Sequence, residues 1–273
     1  MVGGVAPGPE RPWSAACLVS VDVPMSPEPA VAVHSQLSHP EEAGAPIVVI
    51  VHGAMDRGAS FGRVARQLAD VNVIRYDRRG YGRSAAMGPG TLDDHVADLL
   101  GVIDGRPVTV FGHSLGAVIA LVAAERHPEL VRSVLAYEAP ATWEPWWPQP
   151  RSAPPDDPAD EAEAFMRRAI GDHYWSRLPS RTRADRRAEG VALRADLTSI
   201  EGPAPFDAAL ITVPVLAAAG SETTWWHKRA TQELAAEAPY GEHTVVAGAD
   251  HGVHLHQPAA AAHLVRRAIE RSG

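Results

Sequence analysis

The chain has 273 residues, of which 45% are hydrophobic and 21% charged, and a net charge of −8. That length holds one large domain or two small ones, with the composition of a soluble globular enzyme. The acidic balance speaks against a nucleic-acid face, and the single cysteine, Cys17, excludes an intrachain disulfide and a cysteine-rich zinc site.

Residues 1–16 are rich in glycine and proline and read as a loose tail. This N-terminal stretch has no apolar core of signal-peptide length, and no run of about 18 apolar residues follows, so a cytoplasmic protein without a membrane span is expected. "CLVSVDVP" (17–24) and "AVAVHSQLS" (30–38) read as two strands around a proline-rich turn. "PIVVIVHG" (46–53) is a continuous apolar run ending in glycine, as in a strand buried on both faces of a parallel sheet. An amphipathic stretch (60–70), the strand "VNVIRYD" (71–77) and a Gly/Arg-rich loop, "RRGYGRS" (78–84), come next. "TLDDHVADLLGVIDG" (91–105) places Leu92, Val96, Leu99, Leu100 and Ile103 on one helical face, with Thr91 as N-cap. The strand "PVTVFG" (107–112), a helix stopped by Pro128 and the strand "VRSVLAYE" (131–138) follow.

This alternation implies βαβ units and a mostly parallel sheet, whose ligands bind at the carboxyl ends of the strands. Residues 141–206 break it with "EPWWPQPRSAPPDDP" and two charged helical segments (159–175 and 183–197), and read as a helical lid entered through a proline-rich hinge. "TVPVLAAAG" (212–220) restores the strand pattern. A helix (228–239), the strand "EHTVVAG" (242–248) and a closing helix (258–273) complete the chain.

"VFGHSLGAV" (110–118) contains Gly112-His113-Ser114-Leu115-Gly116, a G-x-S-x-G pattern between a buried strand and an apolar helix. A serine there sits on a strained turn that pushes its hydroxyl out of the sheet, with a helix N-terminus behind it. Together with "VHGAMDRGASF" (51–61), "YDRRGYGRS" (76–84) and "AGADHGVHLHQP" (247–258), in this order and spacing, it resembles the α/β-hydrolase superfamily of serine hydrolases, in its esterase, lactonase and haloperoxidase-like group. The resemblance covers residues from about 17 to 271. It implies an α/β-hydrolase fold: a mostly parallel central sheet flanked by helices, with a core of residues 17–140 and 207–273 and a helical lid, 141–206, inserted after the sixth strand.

The resemblance also implies site residues. Ser114 is the expected nucleophile. The oxyanion donors are the N–H of Leu115 and that of Ala54, after His52-Gly53, with Met55 as the close second. His52 is expected to pin its loop. His251, after the last strand, is the expected base, which preserves the order Ser…acid…His. The cluster His251, His254 and His256 lacks the carboxylate or cysteine set of a metal site; neither metal nor cofactor is expected.

The family's common acid is an Asp three residues after the glycine ending the penultimate strand; this chain has Thr223 there. Glu138, at the end of "VLAYE", is the favoured acid, because some members supply it from that strand end. Glu222 is second, with Asp250 and Asp207 behind it. Trp143, Trp146, Trp147, Trp175, Trp225 and Trp226 lie in or beside the lid region. With His113 they are candidates to line an apolar pocket, or else they fasten the lid to the core. The reading is a hydrolase of a hydrophobic ester, lactone or thioester. A cofactor-free perhydrolase, a carbon–carbon bond hydrolase, a non-hydrolytic cyclase and a ligand receptor on the same scaffold are the alternatives.

Overall fold

The computed structural model describes residues 1, 33–38, 44–149 and 153–273. The expected tail (apart from Met1) and the expected strand at 17–24 lie outside the described residues. Seven strands are described: β1 (Ser35–Ser38), β2 (Ile47–Val51), β3 (Asn72–Tyr76), β4 (Val108–His113), β5 (Val131–Tyr137), β6 (Val215–Gly220) and β7 (Gly241–Val246). They form one sheet in the order β1-β3-β2-β4-β5-β6-β7. β1 runs antiparallel to β3, and every other neighbouring pair is parallel. This is the α/β-hydrolase fold.

The central strands are apolar throughout because helices cover both faces. One face packs on α2 (Leu92–Ile103) and α3 (Leu115–Arg126), the other on the one-turn helix α1 (Gly62–Ala65) and the closing helix α10 (Pro258–Glu270). α3 is buried over nearly its whole length. Thr91 caps α2 as expected, in a capping box with Asp94. The amphipathic stretch at 60–70 yields only a 3₁₀ turn (Gly58–Phe61) and α1.

Four helices stand between β5 and β6: α4 (Pro158–Ile170), α5 (Asp172–Arg177), α6 (Ser180–Ala188) and α7 (Gly190–Thr198). Each expected helical segment is broken in two. Gly171, at φ 84°, separates α4 from α5. Gly190 starts α7 where a side chain would overlap the Pro158 carbonyl, so only glycine allows this crossing with α4. Trp175, Met166, Ala162 and Leu193 of these helices share an apolar cluster with Met55 and Tyr81 of the sheet-edge loops. Beyond β6, α8 (Trp225–Glu237) begins three residues earlier than the sequence suggests, which puts Trp225 and Trp226 in its first turn. A one-turn helix, α9 (Val253–His256), precedes α10. No described helix is long and apolar enough to cross a membrane.

Candidate active site

Ser114 joins β4 to α3 at φ 54° and ψ −125°. Its N–H donates to the Tyr137 carbonyl at 2.9 Å. The turn can be this tight because its glycines lack side chains: a Cβ at Gly112 would overlap the backbone of Ala117, and one at Gly116 the Val51 carbonyl. Leu115 opens α3, so its N–H belongs to the first turn, where amides have no intrahelical acceptor. A Cβ at Gly53 would stand 2.9 Å from the Cβ of Ser114, so the loop after β2 passes directly against the serine.

Glu138 directly follows β5 and is fully buried. Its Oε2 lies 2.6 Å from Nδ1 of His251. The Gly220 N–H donates to its Oε1 at 2.9 Å and the Thr223 hydroxyl to its Oε2 at 2.8 Å. Burial alone would raise its pKa. The hydrogen bond and charge of His251, helped by the Gly220 amide and His227, reverse this and hold it below the usual value. An ionised Glu138 only accepts, so the His251 Nδ1 that faces it carries a proton. Thr223, at the position where the family's common Asp is expected, thus donates to Glu138, which follows the neighbouring strand.

The other candidate acids are engaged elsewhere. Glu222 is exposed, and its carboxylate accepts from the Ser221 hydroxyl at 2.9 Å. Asp250 accepts from the Gly252 N–H and pairs with His256 at 3.0 Å. Asp207 caps the 3₁₀ turn at Ala208–Leu210.

Two further histidines crowd His251. His113 donates from Nε2 to the His251 carbonyl at 2.7 Å, and the two rings stand 4.7 Å apart. Burial, then the neighbouring His254 and His251, push its pKa well down, so it stays neutral. His227, from the first turn of α8, stacks on His251 at 5.0 Å and 26°. Its Nδ1 lies 2.8 Å from the Thr224 hydroxyl and 3.9 Å from Glu138. Burial and then the charge of His251 lower its pKa to about 4. The sequence reading missed His227; its place one helical turn after Thr223 was the available signal. Glu138, His227 and His251 are also close enough together to hold a metal ion, each offering one ligand atom within 4.8 Å of the others.

His52 is fully buried with both nitrogens engaged. Nε2 accepts from the Arg78 backbone N–H at 2.9 Å, so Nδ1 carries the proton and donates to the Gly53 carbonyl at 2.7 Å. Desolvation and then the Arg78 charge lower its pKa to about 4. It fastens the loop, as expected.

The tryptophans divide. Trp146, Trp147, Trp225 and Trp226 form a continuous cluster with ring centroids 5.8 to 6.5 Å apart, and Trp147 meets His227 edge-on at 5.2 Å. This cluster connects through His227 to His251. Trp143 instead packs edge-on against Phe206 and lines a separate cavity of about 600 Å³ with Glu144 and Glu237. Trp175 is buried among α4, α5 and α7, with its indole N–H donating to Glu163 at 3.2 Å. A second cavity, of about 560 Å³, lies among Arg57, Arg75, Arg83 and Glu189. Neither cavity is lined by Ser114, Glu138 or His251.

Among the described residues, four non-glycine residues have positive φ: Met55, Asp104, Ser114 and Glu138. Asp104 ends α2; the other three lie at this edge of the sheet. Each such residue costs on the order of 1–3 kcal/mol, and such strain concentrates at functional sites. Glu138, Gly220, Thr223 and His251 are thus joined by hydrogen bonds at the edge of the sheet where Ser114 and Met55 also have positive φ.

Residues 48–264 match the alpha/beta hydrolase family. An uncharacterized hydrolase, YraK, of Bacillus subtilis (strain 168) is 36% identical over 117 residues, covering 40% of this chain and 42% of that protein. The pimeloyl-[acyl-carrier protein] methyl ester esterase of Chromobacterium violaceum is 43% identical over 90 residues, or 33% of this chain and 35% of the esterase. The chain thus matches less than half the length of these curated relatives. The crystal structure of the enol-lactonase from Burkholderia xenovorans LB400 superposes with a TM-score of 0.66 over 87% of this chain and 96% of that one, at 20% identity.

Proposed function

The chain belongs to the alpha/beta hydrolase family, and from that premise we propose that it is a serine hydrolase acting on an ester-type bond through an acyl-enzyme on Ser114. The observation that carries this is the 2.6 Å contact between His251 Nδ1 and a buried, ionised Glu138, beside a serine on a strained elbow. Glu138 fixes the tautomer of His251, so Nε2 removes the Ser114 proton as Oγ attacks the acyl carbon. Negative charge grows on the former carbonyl oxygen. The N–H groups of Leu115 and Ala54 receive it, with Met55 as the neighbouring alternative donor. His251 then passes its proton to the leaving group, and a water activated by the same nitrogen releases the acid. Every proton moved in acylation and deacylation passes through His251; Glu138 stays ionised throughout.

The aromatic cluster beyond His227 favours an apolar acyl or alcohol part: a hydrophobic ester, lactone or thioester. The relatives that are an esterase and an enol-lactonase are compatible with that class. In this reading α4–α7 are a lid over the site and no cofactor takes part. Fluorophosphonate labelling tests the core of the proposal: the native protein should be labelled and Ser114→Ala should lose both label and turnover. A Ser114→Ala variant that still hydrolyses p-nitrophenyl esters would overturn it.

A further inference from the structure

Arg78 is fully buried, beneath the loop that passes Ser114. Its guanidinium holds two of that loop's carbonyls: Nε donates to His52 O at 3.0 Å and Nη2 to Gly53 O at 3.2 Å. Its other contacts run to the inserted helices. Nη1 and Nη2 donate to the two carboxylate oxygens of Asp196, on α7, at 3.0 and 2.6 Å. Asp196 is equally buried, and receives the Tyr81 hydroxyl at 2.7 Å and His95 Nε2 at 2.9 Å. Burial opposes its charge, but Arg78 and then His95 hold its pKa well below the usual carboxylate range. A second link lies beside the first: Arg186, on α6, donates to the Met55 carbonyl at 2.9 Å.

The Gly53 carbonyl and the Ala54 N–H belong to one planar trans peptide, in which they point in opposite directions. Whatever fixes the carbonyl therefore fixes the aim of the amide. Arg78 and His52 Nδ1 both grip that carbonyl from below. The carbonyl's orientation is thus set jointly by His52 and by an arginine whose own orientation is set by a carboxylate on an inserted helix.

We infer that Arg78 and Asp196 are positioning residues for the oxyanion hole, by which the inserted helices hold the Ala54 N–H on the developing oxyanion. This rests on the serine-hydrolase reading above. It predicts that the pair acts on the transition state and leaves substrate binding alone.

The test replaces both charges together, Arg78→Met with Asp196→Leu, so that no buried charge is stranded; removing one partner alone is strongly destabilising. Turnover of p-nitrophenyl butyrate is expressed per serine labelled to completion by a fluorophosphonate, so unfolded protein does not count. Loss of one oxyanion donor costs roughly 10²–10³ in kcat. A donor that is present but misaimed should cost about 10- to 100-fold, with KM within about twofold. The affinity of an alkylboronic acid, which forms a tetrahedral adduct on the serine, should fall in parallel. A purely structural role would lower the melting temperature without moving kcat per labelled serine. Should the double variant give no labelled protein, Tyr81→Phe asks the same question with every charge still paired; it should lower kcat about two- to fivefold at constant KM. An unchanged kcat in the variant measured overturns the inference. If Ser114→Ala also retains turnover, the reading beneath it falls as well; if Ser114→Ala is inactive, only the inference does.

Discussion

Glu138 and Asp196 are two fully buried carboxylates held in opposite ways. Glu138 is surrounded by groups that can lose, gain or share a proton: His251, the Thr223 hydroxyl, and His227 at 3.9 Å. Asp196 is clamped by a permanent cation, Arg78, through two hydrogen bonds. A carboxylate beside a neutral imidazole stabilises that imidazole best once it becomes protonated, so its influence rises during the reaction. A carboxylate beside an arginine exerts the same force before, during and after. In the mechanism proposed above, the Glu138 side of the site responds to a moving proton, and the Asp196 side holds geometry while it moves.

Substitutions that remove one character without the other sharpen this contrast. Glu138→Gln keeps the shape but favours the wrong histidine tautomer; turnover should fall by about 10⁴, the order seen when such an acid is neutralised. The combined Arg78→Met and Asp196→Leu change should reach only about 10- to 100-fold, all of it in kcat, because it misaims one donor and leaves the proton path intact. Thr223→Val removes one of the hydrogen bonds that hold Glu138 ionised. It should lower kcat about three- to tenfold, since a hydrogen bond to a charged group contributes roughly 1.5–3 kcal/mol and other partners remain. A Thr223→Val enzyme with wild-type kcat at every pH would show that this hydroxyl is incidental.

The smallest effect concerns stability. His52 is held neutral in the fold, with its pKa lowered to about 4, while its unfolded value is near 6.5. Between those values the unfolded chain binds more protons, so stability is full above about pH 6.5 and declines as pH falls towards 4. Thermal unfolding across that window should show the decline; because His113 and His227 are lowered in the same direction, His52→Gln should make it shallower without abolishing it. An equally steep profile in the variant would contradict a neutral, clamped His52.

The sequence carries the fold in its apolar strand runs and glycine-ended turns, because a two-sided parallel sheet leaves an unmistakable pattern. Ser114 and His251 are legible for the same reason: the elbow and the last turn have local signatures. Glu138 is legible only indirectly, as a carboxylate at the end of an apolar strand where solvent offers no explanation. Its partner Thr223 was visible merely as a missing Asp. The Arg78–Asp196 pair left no trace, since its members are 118 residues apart and Asp196 reads as an ordinary charge on a polar helix. Likewise, the six tryptophans look like one group along the chain. Trp175 nonetheless packs inside the inserted helices and Trp143 beside a separate cavity, because clustering in sequence does not decide which face of a helix meets the site.

In the proposed mechanism Glu138, and no other carboxylate, prepares His251 to activate Ser114. The rate of fluorophosphonate labelling at neutral pH reads that activation directly, in the native protein, Glu138→Gln and Glu222→Gln side by side. Labelling should slow by about three orders of magnitude or more in Glu138→Gln, in line with the loss when such an acid is neutralised, and stay unchanged within about twofold in Glu222→Gln. Labelling of Glu138→Gln at the native rate, or an equal slowing of both variants, would contradict it.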